Sequence, residues 1–236
     1  VKSLLRKESV LNQARSLRDL SGVSSRAAVD TTVIYTPGSP VLTEIGMVDT
    51  TQTVDIAVDG GVAQVLLTLA APGAQASLVD AAGQAVALAD SGSGLLFAAV
   101  NNPTAGTWRL VMTAPSPTPY QVQVEAQGGV ALKNLDYAAL IEVGPRSGHE
   151  YAPPLGSRPP SGASKASLTI EGVAGDALSL HYVNQNGSLI SSYPMARASA
   201  VAFNGKVTVP ASAYWVKVSG QSERGGSFVR MWRGEH

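Results

Sequence analysis

The chain has no cysteine, which excludes a disulfide framework, Cys-ligated zinc, an iron–sulfur cluster and a thiol nucleophile. Charge is scarce and balanced: 17 basic side chains meet 17 acidic ones in 236 residues. A neutral total gives no general attraction for nucleic acid or an anionic membrane. No run approaches the ~18 apolar residues that a membrane helix needs, so no transmembrane segment is expected. Histidine occurs only at His149, His181 and His236, without the HxH or HExxH spacing of a zinc site. No GxSxG elbow is present. Calcium would need several converging oxygens, and no DxDxDG loop supplies them. Asp49, Asp55, Asp59, Asp80 and Asp90 lie near turns, where aspartate commonly bonds its own backbone. Gly60-Gly61 and Gly225-Gly226 have no helix after them and are not phosphate loops. These absences predict a chain without catalytic, cofactor-binding or metal-binding residues.

What is present is apolar content and rhythm. Hydrophobic residues make 44%, enough for a globular core rather than disorder, and the length allows one large or two ordinary domains. The chain starts at Val1 rather than Met and has no signal peptide, so it reads as a processed form or a piece of a longer polypeptide. Low lysine with many Ala, Gly, Ser and Thr fits a secreted bacterial protein and equally a cytosolic one.

Residues 1–20 read as an amphipathic helix: Leu4, Val10, Leu11, Ala14, Leu17 and Leu20 recur at three- and four-residue steps, and Gly22 follows as a stop. Such a helix must pack on a sandwich, another chain or a missing domain; the alternative is a membrane surface. Beyond Arg26 the period changes to two. Val54–Val58, Val65–Leu69, Ala76–Val79, Gln84–Leu88, Leu95–Val100, Thr107–Met112 and Tyr120–Glu125 form one strand series. A second comprises Ser167–Glu171, Ala177–Asn184, Ser188–Tyr193, Ala200–Asn204, Lys206–Val209, Tyr214–Ser219 and Ser227–Trp232. Asn186-Gly187 and Asn204-Gly205 read as hairpin turns. The expected fold is mainly β: two tandem antiparallel β-sandwiches, Ig-like or jelly-roll-like, after one N-terminal amphipathic helix. The helix would span 1–26, the first sandwich 27–128 and the second 129–236, with an irregular Pro/Gly/Ser-rich segment at 144–164.

The two series look like copies. Leu78–Val86 parallels Tyr182–Ile190, and Pro103–Trp108 parallels Pro210–Trp215. Alternation corrects the second match: Trp108, Leu110 and Met112 share a face, as do Tyr214, Val216 and Val218, so Tyr214 takes the role of Trp108. Trp215 then lies beside Lys217 on a wetter face, while Phe228 and Trp232 flank Arg230 in the last strand. These five residues either pack against other parts of the chain or form a protein-contact surface, where Trp and Arg are enriched.

Ile45–Thr51 with Val54–Val58, the turn Asp80–Val86, Asn102-Pro103-Thr104-Ala105-Gly106-Thr107-Trp108, Leu135-Asp136-Tyr137, Tyr214–Gly220 and Phe228-Val229-Arg230 resemble landmarks of hemicentin-like proteins. The resemblance is to the tandem β-sandwich region after their von Willebrand A domain. It covers roughly 41–233, with Ala81 where the family's turn has proline. It implies an extracellular or cell-surface, non-catalytic module for adhesion or assembly, with the A domain absent because 1–26 lacks a DxSxS motif. Pro103–Trp108 also resembles the pre-peptidase C-terminal sandwich of secreted bacterial hydrolases, which implies instead an accessory domain of such an enzyme. Neither transfers catalytic residues.

Neutrality hides a partition. Residues 1–26 hold six bases and two acids, 27–132 hold Arg109 against eight acids, and 133–236 hold ten bases and seven acids. A basic helix and basic second sandwich flanking an acidic first sandwich predict contact between them, within one chain or head-to-tail between neighbours. A protein partner or self-association is therefore expected.

Overall fold

The computed structural model describes residues 38–92, 94–142, 149–151, 159 and 161–232. The helix expected over 1–20 and much of the irregular 144–164 segment lie outside the described residues. Within them the chain is all β and antiparallel, with no helix.

The first strand series and the residues before it form β1 (Ser39–Val48), β2 (Thr51–Val58), β3 (Val62–Ala70), β4 (Gln75–Val79), β5 (Ala85–Val86), β6 (Ala89–Asp90), β7 (Leu95–Asn101), β8 (Gly106–Thr113) and β9 (Thr118–Gly128). They build a five-stranded sheet, β1-β9-β3-β7-β6, and a four-stranded one, β2-β8-β4-β5. Alternation explains the pairing of faces. Val54, Ile56 and Val58 of β2, Leu110 and Met112 of β8, and Leu67, Leu69, Val122 and Val124 of β3 and β9 all enter one buried cluster. Two sheets sharing a core in this way have β-sandwich character. Trp108 is at its centre, its indole N–H donating to Thr104 O at 2.8 Å.

The remaining strands are β10 (Ala131–Glu142), β11 (His149–Tyr151), β12 (Gly162–Glu171), β13 (Val173–Val183), β14 (Leu189–Arg197), β15 (Ala202–Val209), β16 (Trp215–Ser222) and β17 (Ser227–Met231). All belong to one eight-stranded sheet, β11-β10-β12-β15-β14-β13-β16-β17. Its inward residues, from Val130 to Phe228, form a second buried cluster. The sheet must curl to do this. β10 and β13 are four strand spacings apart, roughly 19 Å in a flat sheet, yet the Tyr137 and Tyr182 hydroxyls lie close enough to affect each other's ionisation.

Register supports the internal likeness. Leu78 pairs with Leu110 across β4 and β8, as Tyr182 pairs with Val216 across β13 and β16. Tyr214, two residues before Val216, meets Tyr182 edge-to-face at 4.8 Å, so it and not Trp215 stands where Trp108 does. Asn186-Gly187 does lie in the β13–β14 turn. Asn204-Gly205 does not turn: β15 runs straight through it. Gly205 is there for close approach, since a Cβ would lie 2.5 Å from Met195 Sδ and 2.6 Å from the Pro194 carbonyl oxygen.

Candidate functional site

The turn Asp59-Gly60-Gly61, after β2, meets the last strand of the chain. Arg230 of β17 donates from Nη2 to Asp59 Oδ1 at 2.7 Å, from Nε to Val130 O at 2.8 Å and from Nη1 to Val229 O at 2.8 Å. The second Asp59 oxygen accepts the Val130 backbone N–H at 2.9 Å. Neither side chain has any exposed surface. Burial pushes the Arg230 pKa down while the Asp59 carboxylate pulls it back up, so the guanidinium stays charged against its partner. Gly129, at φ +68°, closes over this pair; a Cβ there would lie 2.3 Å from Asp59 Oδ2. The Gly60 N–H donates to Gly225 O (2.8 Å) and the Gly129 N–H to Gly61 O (2.9 Å). One charge from each half is thus desolvated and fully hydrogen-bonded at their junction, the condition under which a buried pair holds.

Beside it, Gly38–Pro40, Leu132 and Arg230–Trp232 line a cavity of about 180 Å³. β13, β16 and β17 also present an outer face. Direct cross-strand partners there are Val183 with Trp215, His181 with Lys217, and Lys217 with Met231. Val183 and Met231 are buried although they point away from the second cluster, and Trp215 and Lys217 are half-buried. His181 Nε2 and Ser219 Oγ are 2.8 Å apart. Burial first, then the Lys217 charge, hold the His181 pKa below its ordinary value, so the imidazole is neutral at pH 7. A neutral imidazole bonded to a hydroxyl is the first element of a nucleophile–base pair. Here the other ring nitrogen, Nδ1, is buried without a hydrogen-bond partner, so nothing orients the ring as a triad's acid would.

Of the five residues named as a contact surface, the structure brings Trp215 and Lys217 together on this outer face. Trp232 is half-buried against the second cluster. Phe228 and Arg230 are corrections: both are 0% exposed and take no part in an outer surface. Their face of β17 is turned inward, Phe228 into the second cluster and Arg230 onto Asp59. Asp80 and Asp90 behave as turn residues, accepting N–H groups from Ala82, Gln84 and Gly92. Asp59 does more, and its spacing from Arg230 left no local signal. The His181–Ser219 pair was equally hidden, because only strand pairing brings the two together. Among the described residues, the large exposed apolar side chains are Ile45 and Met47 on β1, Leu189 and Ile190 on β14, and Val201. The Ile45 N–H donates to Gln185 O at 3.0 Å, which docks the turn leading into β14 against β1.

No family model matches the chain, and no curated protein does. Among solved structures it is similar to a Bacillus licheniformis lipase in propeptide form (14% identity, TM-score 0.43, 92% of this chain and 44% of that one). It is also similar to β-glucuronidases from Bifidobacterium dentium (11%, 0.27, 77% and 39%) and Ruminococcus gnavus (8%, 0.24, 78% and 36%). The chain spans less than half the length of each.

Proposed function

We propose that the chain is a non-catalytic β module serving adhesion or protein assembly within a longer extracellular polypeptide of the hemicentin-like, von Willebrand A domain type. The observation that carries this reading is the buried Asp59–Arg230 pair. It fixes two β units in one relative geometry, which a spacer or docking module needs. A fully desolvated, four-bonded ion pair selects that geometry against other apolar packings. Exposed Ile45, Met47, Leu189 and Ile190 supply side chains of the kind that protein contacts bury. A second reading, an accessory domain of a secreted hydrolase, is favoured by the Pro103–Trp108 segment, whose Trp108 anchors the first core. On both readings the chain itself turns nothing over.

The test is a panel of esters, peptides and glycans run against the purified chain and its Ser219→Ala variant. Equal, background-level rates are expected. Turnover abolished in Ser219→Ala overturns the non-catalytic reading and makes His181–Ser219 the site. The complete polypeptide separates the other two: an upstream DxSxS-bearing domain supports adhesion, an upstream protease, esterase or glycosidase the accessory role.

A further inference from the structure

Besides the buried ion pair, the turn between β13 and β14 also joins the two halves. β1 is the end strand of its sheet, and on its outer edge the Ile45 N–H donates to Gln185 O at 3.0 Å. Next to it, Glu44 accepts the hydroxyl of the buried Tyr120 on one carboxylate oxygen. The other oxygen faces Gly187, where a Cβ would lie 2.7 Å from it. Turn and edge therefore touch at Gln185 and at Gly187, on either side of Asn186. The turn is held closed through Asn184. Its N–H donates to Ser188 O at 3.0 Å, its carbonyl accepts the Gly187 N–H at 3.1 Å, and its Oδ1 accepts the Ser188 N–H at 2.8 Å. Asn186 is exposed at the tip, with its own Oδ1 3.1 Å from the Ser188 nitrogen.

An asparagine side chain is attacked most readily by the next backbone nitrogen when glycine follows, because no Cβ shields that nitrogen. The sequence contains Asn-Gly twice. Asn204 is held in β15 between two strands, opposite Ser167 and Ala196, and a strand paired on both sides cannot bend to bring the Gly205 nitrogen onto the Asn204 amide. In the exposed turn, opening the bond from Gly187 N–H to Asn184 O frees the attacking nitrogen. We propose that Asn186 is a site of intramolecular deamidation whose products release the β13–β14 turn from β1. The Gly187 nitrogen bonds to Asn186 Cγ, the Cγ–Nδ2 bond breaks, and Nδ2 leaves as ammonia with the proton given up by Gly187. Water then opens the succinimide at either ring carbonyl, leaving aspartate or isoaspartate. Both products place a new carboxylate next to Glu44, which its bond to Tyr120 keeps from swinging away, and like charges repel. Isoaspartate also lengthens the main chain by one carbon, and a turn closed by three Asn184 bonds cannot lengthen and keep them all.

Two measurements on the full chain test this. The protein is aged in mildly alkaline buffer, folded or in urea, and mapped by peptide fragmentation that separates aspartate from isoaspartate. In the folded chain Asn186 should convert while Asn204 stays an amide; in urea both should convert at similar rates. Hydrogen exchange then reads the docking bond at the Ile45 amide, because exchange reports local opening. Protection there should be lost in the aged chain and in freshly made Asn186→Asp. Asn186→Gln, whose longer side chain resists ring closure, should keep it throughout ageing. Asn186 intact in the aged folded chain, or converting no faster than Asn204, overturns the modification site. An Ile45 amide as protected in the aged chain and in Asn186→Asp as in fresh wild type overturns the release.

Discussion

Arg230 and Lys217 sit on adjacent strands, yet one is sealed inside the protein and the other is half-exposed. The difference is the company each keeps: Asp59, Val130 and Val229 supply the oxygens that replace water around the Arg230 guanidinium. Arg230→Met leaves the Asp59 carboxylate buried and unpaired, and urea titration should show a loss of about 3–5 kcal/mol. The double variant Asp59→Leu/Arg230→Met removes both charges and should recover most of it. His181 offers a second residue-level test. Its folded pKa lies below the unfolded value of about 6.5, so the unfolded state binds the proton more readily. Its contribution to stability is therefore complete above pH 6.5 and lost as pH falls from there through the folded pKa. Tm scans between pH 7 and 5 should fall more steeply for wild type than for His181→Gln.

Strands were legible where alternation was unbroken and hidden where it was not. β2, β8 and β9 keep strict inward and outward positions, and their residues alone announce them. β1 and β10 carry register shifts, at Pro40/Leu42 and Leu132/Asn134, and each bulge resets the apolar face. Gly46 and Glu44 in β1, and Lys133, Asn134 and Asp136 in β10, further dilute the pattern. Asn204-Gly205 misled for the opposite reason, because a strong local turn cue was overridden by packing between β14 and β15. Gly205→Ala should make that concrete. The added methyl meets backbone at the Pro194 oxygen as well as Met195 Sδ, and a loss of about 1–3 kcal/mol is expected by thermal or chemical melting. The site was less legible than the strands. Trp215 and Lys217 were placeable by period alone, whereas the inward turn of Phe228 and Arg230 depends on what β17 packs against.

At the scale of the molecule, the acidic first half and basic second half are joined by a buried ion pair, where Asp59 accepts Arg230. The exposed acids of the first half remain, among them Asp49, Asp55 and Asp90. Head-to-tail association through them should weaken between 20 and 500 mM salt in sedimentation experiments; an unchanged distribution counts against it. The buried pair has a thermodynamic counterpart. Two clusters joined through it should melt in one calorimetric transition, and Arg230→Met should separate the transition into two, with an inner one for each cluster. There is also a matter of timing. Asp59 precedes Arg230 by 171 positions, so a ribosome working at about 5–20 residues per second delivers the arginine about 9–34 s after the aspartate. Throughout that interval the nascent strands of the first half carry a carboxylate without its counterion. Chains that stop short of β17 would keep that defect permanently, giving quality control a means of distinguishing finished from unfinished molecules.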